Sequence, residues 1–167
     1  MANICTTEYH FTGAPADIDR LTKMIKYDDE DICIQRLNSD YLLVVDESKW
    51  APRLDYFKNL LDQFYDPATD ETYLDMTYYA EEAGNGLFET NDPSPHYNLD
   101  VWDTDGSLSE IGLESVMILD PDDLQDILEE HLGYSDDLEK LIKDARNLKN
   151  EDGEQYIFIN KWDYMED

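Results

Sequence analysis

The large excess of acidic residues limits how this chain can fold. Asp and Glu number 41 against 12 Lys and Arg in 167 residues, which gives a formal net charge of −29. Carboxylates are rarely buried without a partner, so most of them must lie on the surface. The 5 Phe, 3 Trp and 12 Tyr residues exceed what a disordered acidic chain carries, and they can build a hydrophobic core. The composition predicts a folded body with an acidic surface.

The size of this charge favours one kind of partner. A compact chain of this length is about 40 Å across, and duplex DNA carries about 24 charges over that distance. The net charge of −29 is of the same order. It repels nucleic acid and anionic lipid and attracts basic proteins. We expect a basic or nucleic-acid-binding protein as partner, with no direct nucleic acid and no membrane. General solubility and adaptation to high salt are the competing explanations.

Cysteine usage and hydropathy predict a cytoplasmic protein. Cys5 and Cys33 do not form a CxxC motif, and we expect two buried, reduced thiols. No stretch has the apolar length of a membrane span, and residues 1–11 contain no basic leader.

The first part of the chain alternates strand and helix patterns. The predicted elements are a strand over Asn3–Phe11, a helix from Pro15, strands over Ile32–Leu37 and Tyr41–Asp46, a helix capped by Ser48, and a strand over Thr72–Ala80. This β-α-β-β-α-β order is the split βαβ, or ferredoxin-like, arrangement, in which both helices cover one face of an antiparallel sheet.

The rest of the chain predicts extra strands and two C-terminal helices. The elements are strands over Leu87–Thr90, Tyr97–Trp102 and Tyr156–Trp162, and helices over Pro121–Leu132 and Asp136–Leu148. Asp120 should cap the first of these helices, and Gly133 should end it. We therefore expect an α+β fold in a single domain, 1–167. Residues 1–102 would form the ferredoxin-like core with an added hairpin, and 103–167 the helical extension and final strand.

The helix over Pro121–Leu132 carries the densest carboxylates of the chain. No Lys or Arg interrupts them, and spacings of three and four residues place several on the face opposite the leucines. Like charges at this spacing destabilise a helix slightly, so the pattern indicates either a solvated face or a binding face for a basic partner. With a second acidic run, the candidate partner-binding residues are Asp120, Asp122, Asp123, Asp126, Glu129, Glu130, Asp28, Asp29, Glu30 and Asp31.

Catalytic and metal motifs are weak in this sequence. Val101 and Gly112 occupy the first and last ligand positions of the best EF-hand-like register, so that loop fails. An irregular oxygen site at Asp100, Asp103 and Asp105 is the remaining calcium alternative. His10, His96 and His131 are isolated in sequence, and neither a Walker loop nor an HExxH motif occurs. We expect no catalytic residues, no metal and no cofactor, with a metal-dependent enzyme as the minor alternative.

Tyrosine supports a second class of function. Tyr73, Tyr78 and Tyr79 crowd one predicted strand, and tyrosine is enriched at protein interfaces. The alternative to a purely electrostatic binder is therefore an adaptor or immunity protein, which binds a basic partner through tyrosines as well as charge.

Two segments resemble a known family. Asn3 to Gly13, Asn-Ile-Cys-Thr-Thr-Glu-Tyr-His-Phe-Thr-Gly, is similar to the opening of the YubB-type ferredoxin-like proteins of phages and plasmids. Tyr78-Tyr79-Ala80-Glu81-Glu82 with Gly86-Leu87-Phe88 resembles the Tyr-x-Glu-x-Gly-x-Phe hairpin of that family. The resemblance covers about the first 100 residues and implies a mobile-element setting and the βαββαβ order. It implies no catalytic residue.

Size and charge add a further resemblance, to the ArdA-type antirestriction proteins, which mimic DNA with surface carboxylates. This likeness concerns bulk properties alone. It implies a non-enzymatic DNA mimic that inhibits a nucleic-acid-binding host defence protein, and this is the function that we expect.

Overall fold

The computed structural model describes residues 4–28, 32–82, 86–101 and 115–166, which fold as an α+β protein with largely antiparallel sheets. Its helices are α1 (Pro15–Asp28), α2 (Leu54–Leu61), α3 (Pro121–Leu132) and α4 (Leu138–Arg146), and a 3-10 turn over Asp62–Phe64 follows α2. None of these described helices is long and apolar enough to cross a bilayer. The strands are β1 (Ile4–Gly13), β2 (Cys33–Arg36), β3 (Tyr41–Lys49), β4 (Tyr65–Asp66), β5 (Glu71–Thr72), β6 (Leu74–Glu82), β7 (Leu87–Thr90), β8 (Tyr97–Val101), β9 (Ser115–Ile118), β10 (Ile157–Lys161) and β11 (Asp163–Tyr164).

The contacts divide the chain into two compact units. Unit 1 contains residues 1–92 and 164–167, and unit 2 contains residues 93–163. The prediction of a single domain requires that both units unfold together, and it stays a prediction.

Unit 1 is built on a six-stranded sheet in the order β11-β7-β6-β1-β3-β2. β1 lies in the middle and pairs antiparallel with β3 on one side and β6 on the other. Every second residue of β1 is buried, from Cys5 through Thr7 and Tyr9 to Phe11. This period of two places one face of the strand in the core.

Both helices of unit 1 cover that same face. Ile18, Leu21 and Ile25 lie on the inner side of α1, and Phe57 and Leu60 on that of α2. They pack with the buried strand residues into one cluster, and the Tyr9 and Phe57 ring centroids are only 3.9 Å apart. The strand residues of the cluster are Cys5, Tyr9, Phe11, Leu42, Val44, Leu74, Tyr78 and Ala80.

Several predictions for unit 1 are confirmed, and one helix start is wrong. The helix from Pro15, the hairpin that joins β2 to β3 and the antiparallel return of β7 all occur. Ser48, the predicted cap, instead lies in β3 opposite Cys5, and α2 begins only at Leu54. Pairing with β1 continues through this region, and the added ladder hydrogen bonds outweigh a local capping signal.

Cysteine burial also differs from the expectation. Both thiols are free, but Cys33 is exposed while Cys5 is fully buried. β2 is an edge strand, and its burial pattern has no fully buried position. The prediction of two buried thiols is therefore wrong for Cys33.

Unit 2 packs α3 and α4 with a three-stranded antiparallel sheet in the order β10-β8-β9. Leu124 and Leu128 of α3 and Leu141, Ile142 and Ala145 of α4 are buried. The sheet completes this core with Tyr97, Leu99, Ile118, Ile157 and Ile159.

The boundaries in unit 2 test the sequence predictions. Asp120 caps α3, and Gly133 ends it at φ +88°, both as predicted. α4 is shorter than expected and begins after the cap residue Asp137. β9 was not predicted, because its four residues follow a Gly- and Ser-containing stretch and have no clear alternation.

Candidate binding surface on the third helix

The start and end of α3 are fixed by its own polar groups. The Asp120 carboxylate accepts a hydrogen bond from the backbone N–H of Asp122 at 3.0 Å, and Pro121 occupies the first helical position. At the other end, the Gly133 N–H donates to the Glu129 carbonyl at 2.9 Å. Asp120 therefore serves as a helix cap as well as a surface charge.

The carboxylates of α3 face away from the core. Leu124 and Leu128 are buried, whereas four acidic side chains on the rest of the helix circumference are exposed. The helical period of 3.6 residues separates these two sets onto different faces. The four exposed residues are Asp122, Asp123, Asp126 and Glu130.

Glu129 is only partly exposed and has structural contacts. The Gln125 Nε2 donates to Glu129 Oε1 at 2.9 Å and to the Ser135 carbonyl at 3.0 Å. The Ser135 N–H donates to the same Glu129 oxygen at 3.4 Å. These bonds tie the last turn of α3 to the segment that leads into α4.

The end of the acidic face forms an open groove of about 560 Å³. Three of the predicted carboxylates, Asp126, Glu129 and Glu130, line it together with Ile127 and Tyr134. Tyr134 is 85% exposed, the highest value among the exposed large hydrophobic side chains that the structure describes. The groove thus combines negative charge with an accessible aromatic ring, which can contact a cation by its face.

Charge along α3 is as dense as along a DNA strand. Asp120 to Leu132 is about 20 Å long at a rise of about 1.5 Å per residue. Six carboxylates over this length give about one negative charge per 3.3 Å, and a single DNA strand carries one per about 3.4 Å. The segment contains no Lys or Arg that could neutralise this charge from within the helix.

The second predicted acidic patch is only partly described. Asp28 is the last residue of α1 and belongs to unit 1, whereas α3 belongs to unit 2. Asp29, Glu30 and Asp31 lie outside the described residues. The structure brings three of the predicted carboxylates into one groove and does not test the contribution of this patch.

Only one of the three candidate metal ligands lies in the described part of the chain. Asp100 lies in β8 opposite Ser115 and Phe158, while Asp103 and Asp105 lie outside the described residues. In the described part of the chain, no group of three or more His, Cys, Asp or Glu side chains could hold a metal ion.

A polar cluster that the sequence analysis missed lies on the sheet of unit 1. The Glu8 Oε2 and His10 Nε2 atoms are 3.3 Å apart, and the His10 Nδ1 hydrogen-bonds to the Tyr41 hydroxyl. The hydrogen bond to His10 lowers the pKa of Glu8, and burial raises the pKa of Tyr41. Alternation along β1 places Glu8 and His10 on one face, but only the register with β3 adds Tyr41.

This cluster has the geometry of a structural network. The His10 side chain is 19% exposed, and both ring nitrogens already have partners within the sheet. The ring also contacts Tyr79 edge-on, with centroids 5.2 Å apart. Little room is left for a substrate, so the acidic face of α3 is the stronger candidate site.

Fold and site together define an α+β protein with an acidic, aromatic-edged helical surface. Comparisons with models of protein families, with curated proteins and with solved structures found no match.

Proposed function

We propose that this protein is a non-enzymatic binding protein whose acidic α3 face docks onto a basic protein. The observation that carries the proposal is the exposed row of Asp122, Asp126 and Glu130, with no Lys or Arg on the same helix. Their mutual repulsion destabilises α3, and a basic partner would relieve it. A surface that served solubility alone would gain little from concentrating its charge on one helix.

The partner that best fits this surface is a nucleic-acid-binding protein. The charge spacing along α3, about 3.3 Å, is close to the spacing of about 3.4 Å along one DNA strand. Lys and Arg side chains that bind phosphates would find carboxylates at a similar density. We propose that the protein acts as a DNA mimic that inhibits a host defence protein, in the mobile-element setting that its sequence resemblances imply.

The proposal also includes the type of fold and the cellular compartment. The β6-β1-β3-β2 order and the placement of α1 and α2 on one face support a ferredoxin-like βαββαβ core in unit 1. Two free thiols in the described structure favour a reducing compartment, and we propose the cytoplasm.

One observation favours the adaptor or immunity hypothesis as a second candidate function. Tyr134 is 85% exposed beside Asp126 and Glu130. Aromatic anchors commonly dominate the energy of protein interfaces, whereas charges outside the centre mainly affect association rates. If Tyr134 is the anchor, the partner need not bind DNA at all.

A capture experiment with matched charge variants tests the proposal. The tagged protein is incubated with host lysate at low and moderate salt, with and without competing duplex DNA, and bound proteins are identified by mass spectrometry. One variant reverses Asp122, Asp123, Asp126 and Glu130 to Lys, which leaves the hydrogen bonds of Asp120 and Glu129 intact. The control reverses four exposed carboxylates elsewhere in unit 2: Asp136, Glu139, Asp144 and Glu151.

We expect the wild type and the control to capture a DNA-binding protein that DNA displaces, and the α3 variant to lose it. Binding should weaken steeply with salt. A partner that is indifferent to DNA and is lost with Tyr134→Ala would instead support the adaptor. Equal capture by the α3 variant and the wild type would refute the assignment to α3.

A further inference from the structure

A second concave surface lies in unit 1, along the edge of β6. It is a cleft of about 610 Å³ between α2 with its following turn and the first half of β6. Its volume lies within the range of ligand-binding clefts, about 300–1,000 Å³. Its lining includes Lys58, Leu61, Asp62, Leu74, Asp75 and Met76.

β6 is paired along only part of one edge. On one side, β1 pairs with it from Leu74 to Glu81. On the other side, β7 pairs only with Tyr79–Glu82. The edge that precedes Tyr79 therefore faces the cleft without a neighbouring strand in the described part of the chain.

The Asn91 side chain closes one end of this edge. Its Nδ2 donates to the Met76 carbonyl at 2.9 Å, and its Oδ1 accepts from the Tyr78 N–H at 2.9 Å. Asn91 directly follows β7, so its amide replaces the strand that has ended.

These two bonds also establish which backbone groups point into the cleft. The N–H and C=O of one residue in an antiparallel strand point to the same side, and the side alternates along the chain. Since Met76 and Tyr78 both bind Asn91, the backbone groups of Leu74 and Met76 point away from β1. No hydrogen bond engages the Met76 N–H among the residues that the structure describes.

We propose that this cleft binds an extended peptide segment of a partner protein, which adds a strand to β6. The Met76 N–H and the Leu74 carbonyl supply the first backbone contacts. The open edge of β6 from Leu74 to Thr77 is about 13 Å long at about 3.3 Å per residue, which accommodates three or four residues of the peptide.

The lining identifies the chemistry of that peptide. Side chains alternate between the two faces of a strand, so Leu74 and Met76 lie on the helix side with Leu61, and Asp75 lies on the other. Asp62 adds a second carboxylate against the single cation Lys58. The fitting segment therefore alternates apolar with basic side chains. This site lies apart in sequence from α3 and does not depend on the proposed function.

Peptides with methylated backbone amides distinguish binding by strand addition from binding by charge attraction alone. The ¹⁵N-labelled full chain is titrated with the acetylated, amidated peptide Val-Arg-Val-Arg-Val and followed by NMR. Two matched peptides have the same sequence with methylated backbone nitrogens. One is methylated at its Val residues and the other at its Arg residues. In the bound strand, the Val side chains lie on the helix side and the Arg side chains on the other. Either the Val N–H groups or the Arg N–H groups then point towards β6, but not both.

We expect the parent peptide to shift the Met76 amide signal and slow its hydrogen exchange. One methylated peptide should bind at least about tenfold more weakly and the other almost unchanged. Equal affinity of the two methylated peptides, absence of binding by the parent peptide, or binding that leaves the Met76 amide unaffected would overturn the proposal.

A backbone variant provides the reciprocal test. Met76→Pro removes the N–H that points into the cleft while leaving the β1 ladder its hydrogen bonds, and edge positions of this kind tolerate proline. Met76→Leu keeps the N–H and serves as the control. We expect Met76→Leu to bind like the wild type and Met76→Pro to lose at least about tenfold in affinity. Should Met76→Pro fail to fold, the methylated peptides still decide the outcome.

Discussion

Arg53 holds the carboxylate of Asp46 through two hydrogen bonds, one from Nε at 2.9 Å and one from a terminal nitrogen. The Asp46 side chain is 3% exposed, and that of Arg53 is 36% exposed. An acidic residue of β3 is thus almost fully buried next to one of the few cations of the chain. The Arg53 guanidinium also lies over the Tyr56 ring, 5.5 Å from its centroid.

Arg53→Met should destabilise the protein, because it leaves the Asp46 carboxylate buried without its partner. We expect a loss of about 2 kcal/mol in the free energy of unfolding, reduced from the value for a fully buried pair because Arg53 is part-exposed. Urea denaturation measures it. Asp19→Asn breaks a more exposed ion pair, the one with Arg36, and should lose less, about 1 kcal/mol or below. An equal loss of unfolding free energy in the two variants would contradict the distinction between a buried and an exposed ion pair.

Glu8→Gln should change how stability depends on pH. The hydrogen bond to His10 lowers the pKa of Glu8 in the folded state. A carboxyl with a lowered folded-state pKa contributes stability above its unfolded pKa of about 4.3, and this contribution is lost as the pH falls through the folded value. We therefore expect Glu8→Gln to be less stable than the wild type near pH 6, and the difference to shrink below about pH 4.

The measurement is the urea midpoint of both proteins from pH 7 to pH 3. Glu47→Gln is the matched control, since Glu47 is an exposed carboxylate on the same sheet. It removes one negative charge without removing the His10 contact. A pH profile of Glu8→Gln that is parallel to that of the control would argue against the His10 effect.

Asp120 should contribute to stability through its cap rather than its charge. Asp120→Ala removes the acceptor for the Asp122 N–H and should lower the free energy of unfolding by about 1 kcal/mol. Asn caps as well as Asp, so Asp120→Asn should remain close to the wild type while removing the charge. Thermal unfolding of both variants checks this. If Asp120→Asn is as unstable as Asp120→Ala, charge and not capping is responsible.

Gly13 should tolerate no side chain, because β1 and β6 approach closely there. A Cβ at Gly13 would lie 2.5 Å from Leu74 Cδ2 and 2.7 Å from the Tyr73 carbonyl oxygen. We expect Gly13→Ala to lose about 2 kcal/mol or more, since the backbone must shift. Gly153 has φ +81° with open space around it, so Gly153→Ala should lose only about 1 kcal/mol from backbone strain. Chemical denaturation gives the ranking of the two variants, and the reverse ranking would contradict the close approach.

Local patterns predicted the acidic helix well. Asp120, Pro121 and Gly133 are boundary signals that act within a few residues, and the positions of Leu124 and Leu128 follow from helical period alone. The exposure of Asp126 and Glu130 follows from the same period. No local pattern indicates Tyr134, because its accessibility depends on the hydrogen bonds that Gln125 and Ser135 make in the segment after α3.

Pairing between distant strands decided the rest. Ser48 has the local chemistry of a helix cap, but its place opposite Cys5 makes it a strand residue. His10 is isolated from the other histidines in sequence, and only the register of β1 with β3 brings Tyr41 to its ring. The open edge of β6 likewise exists because β7 ends at Thr90, before it could cover Met76.

Short stretches of sequence were enough to predict the acidic surface, the alternation of helices and strands in unit 1, and the charged face of α3, because burial, capping and periodicity act locally. Four features arise only in the folded chain: the strand register, the buried Asp46–Arg53 pair, the groove at Tyr134 and the cleft beside β6. These features depend on contacts between residues far apart in sequence, whose partners no local pattern specifies.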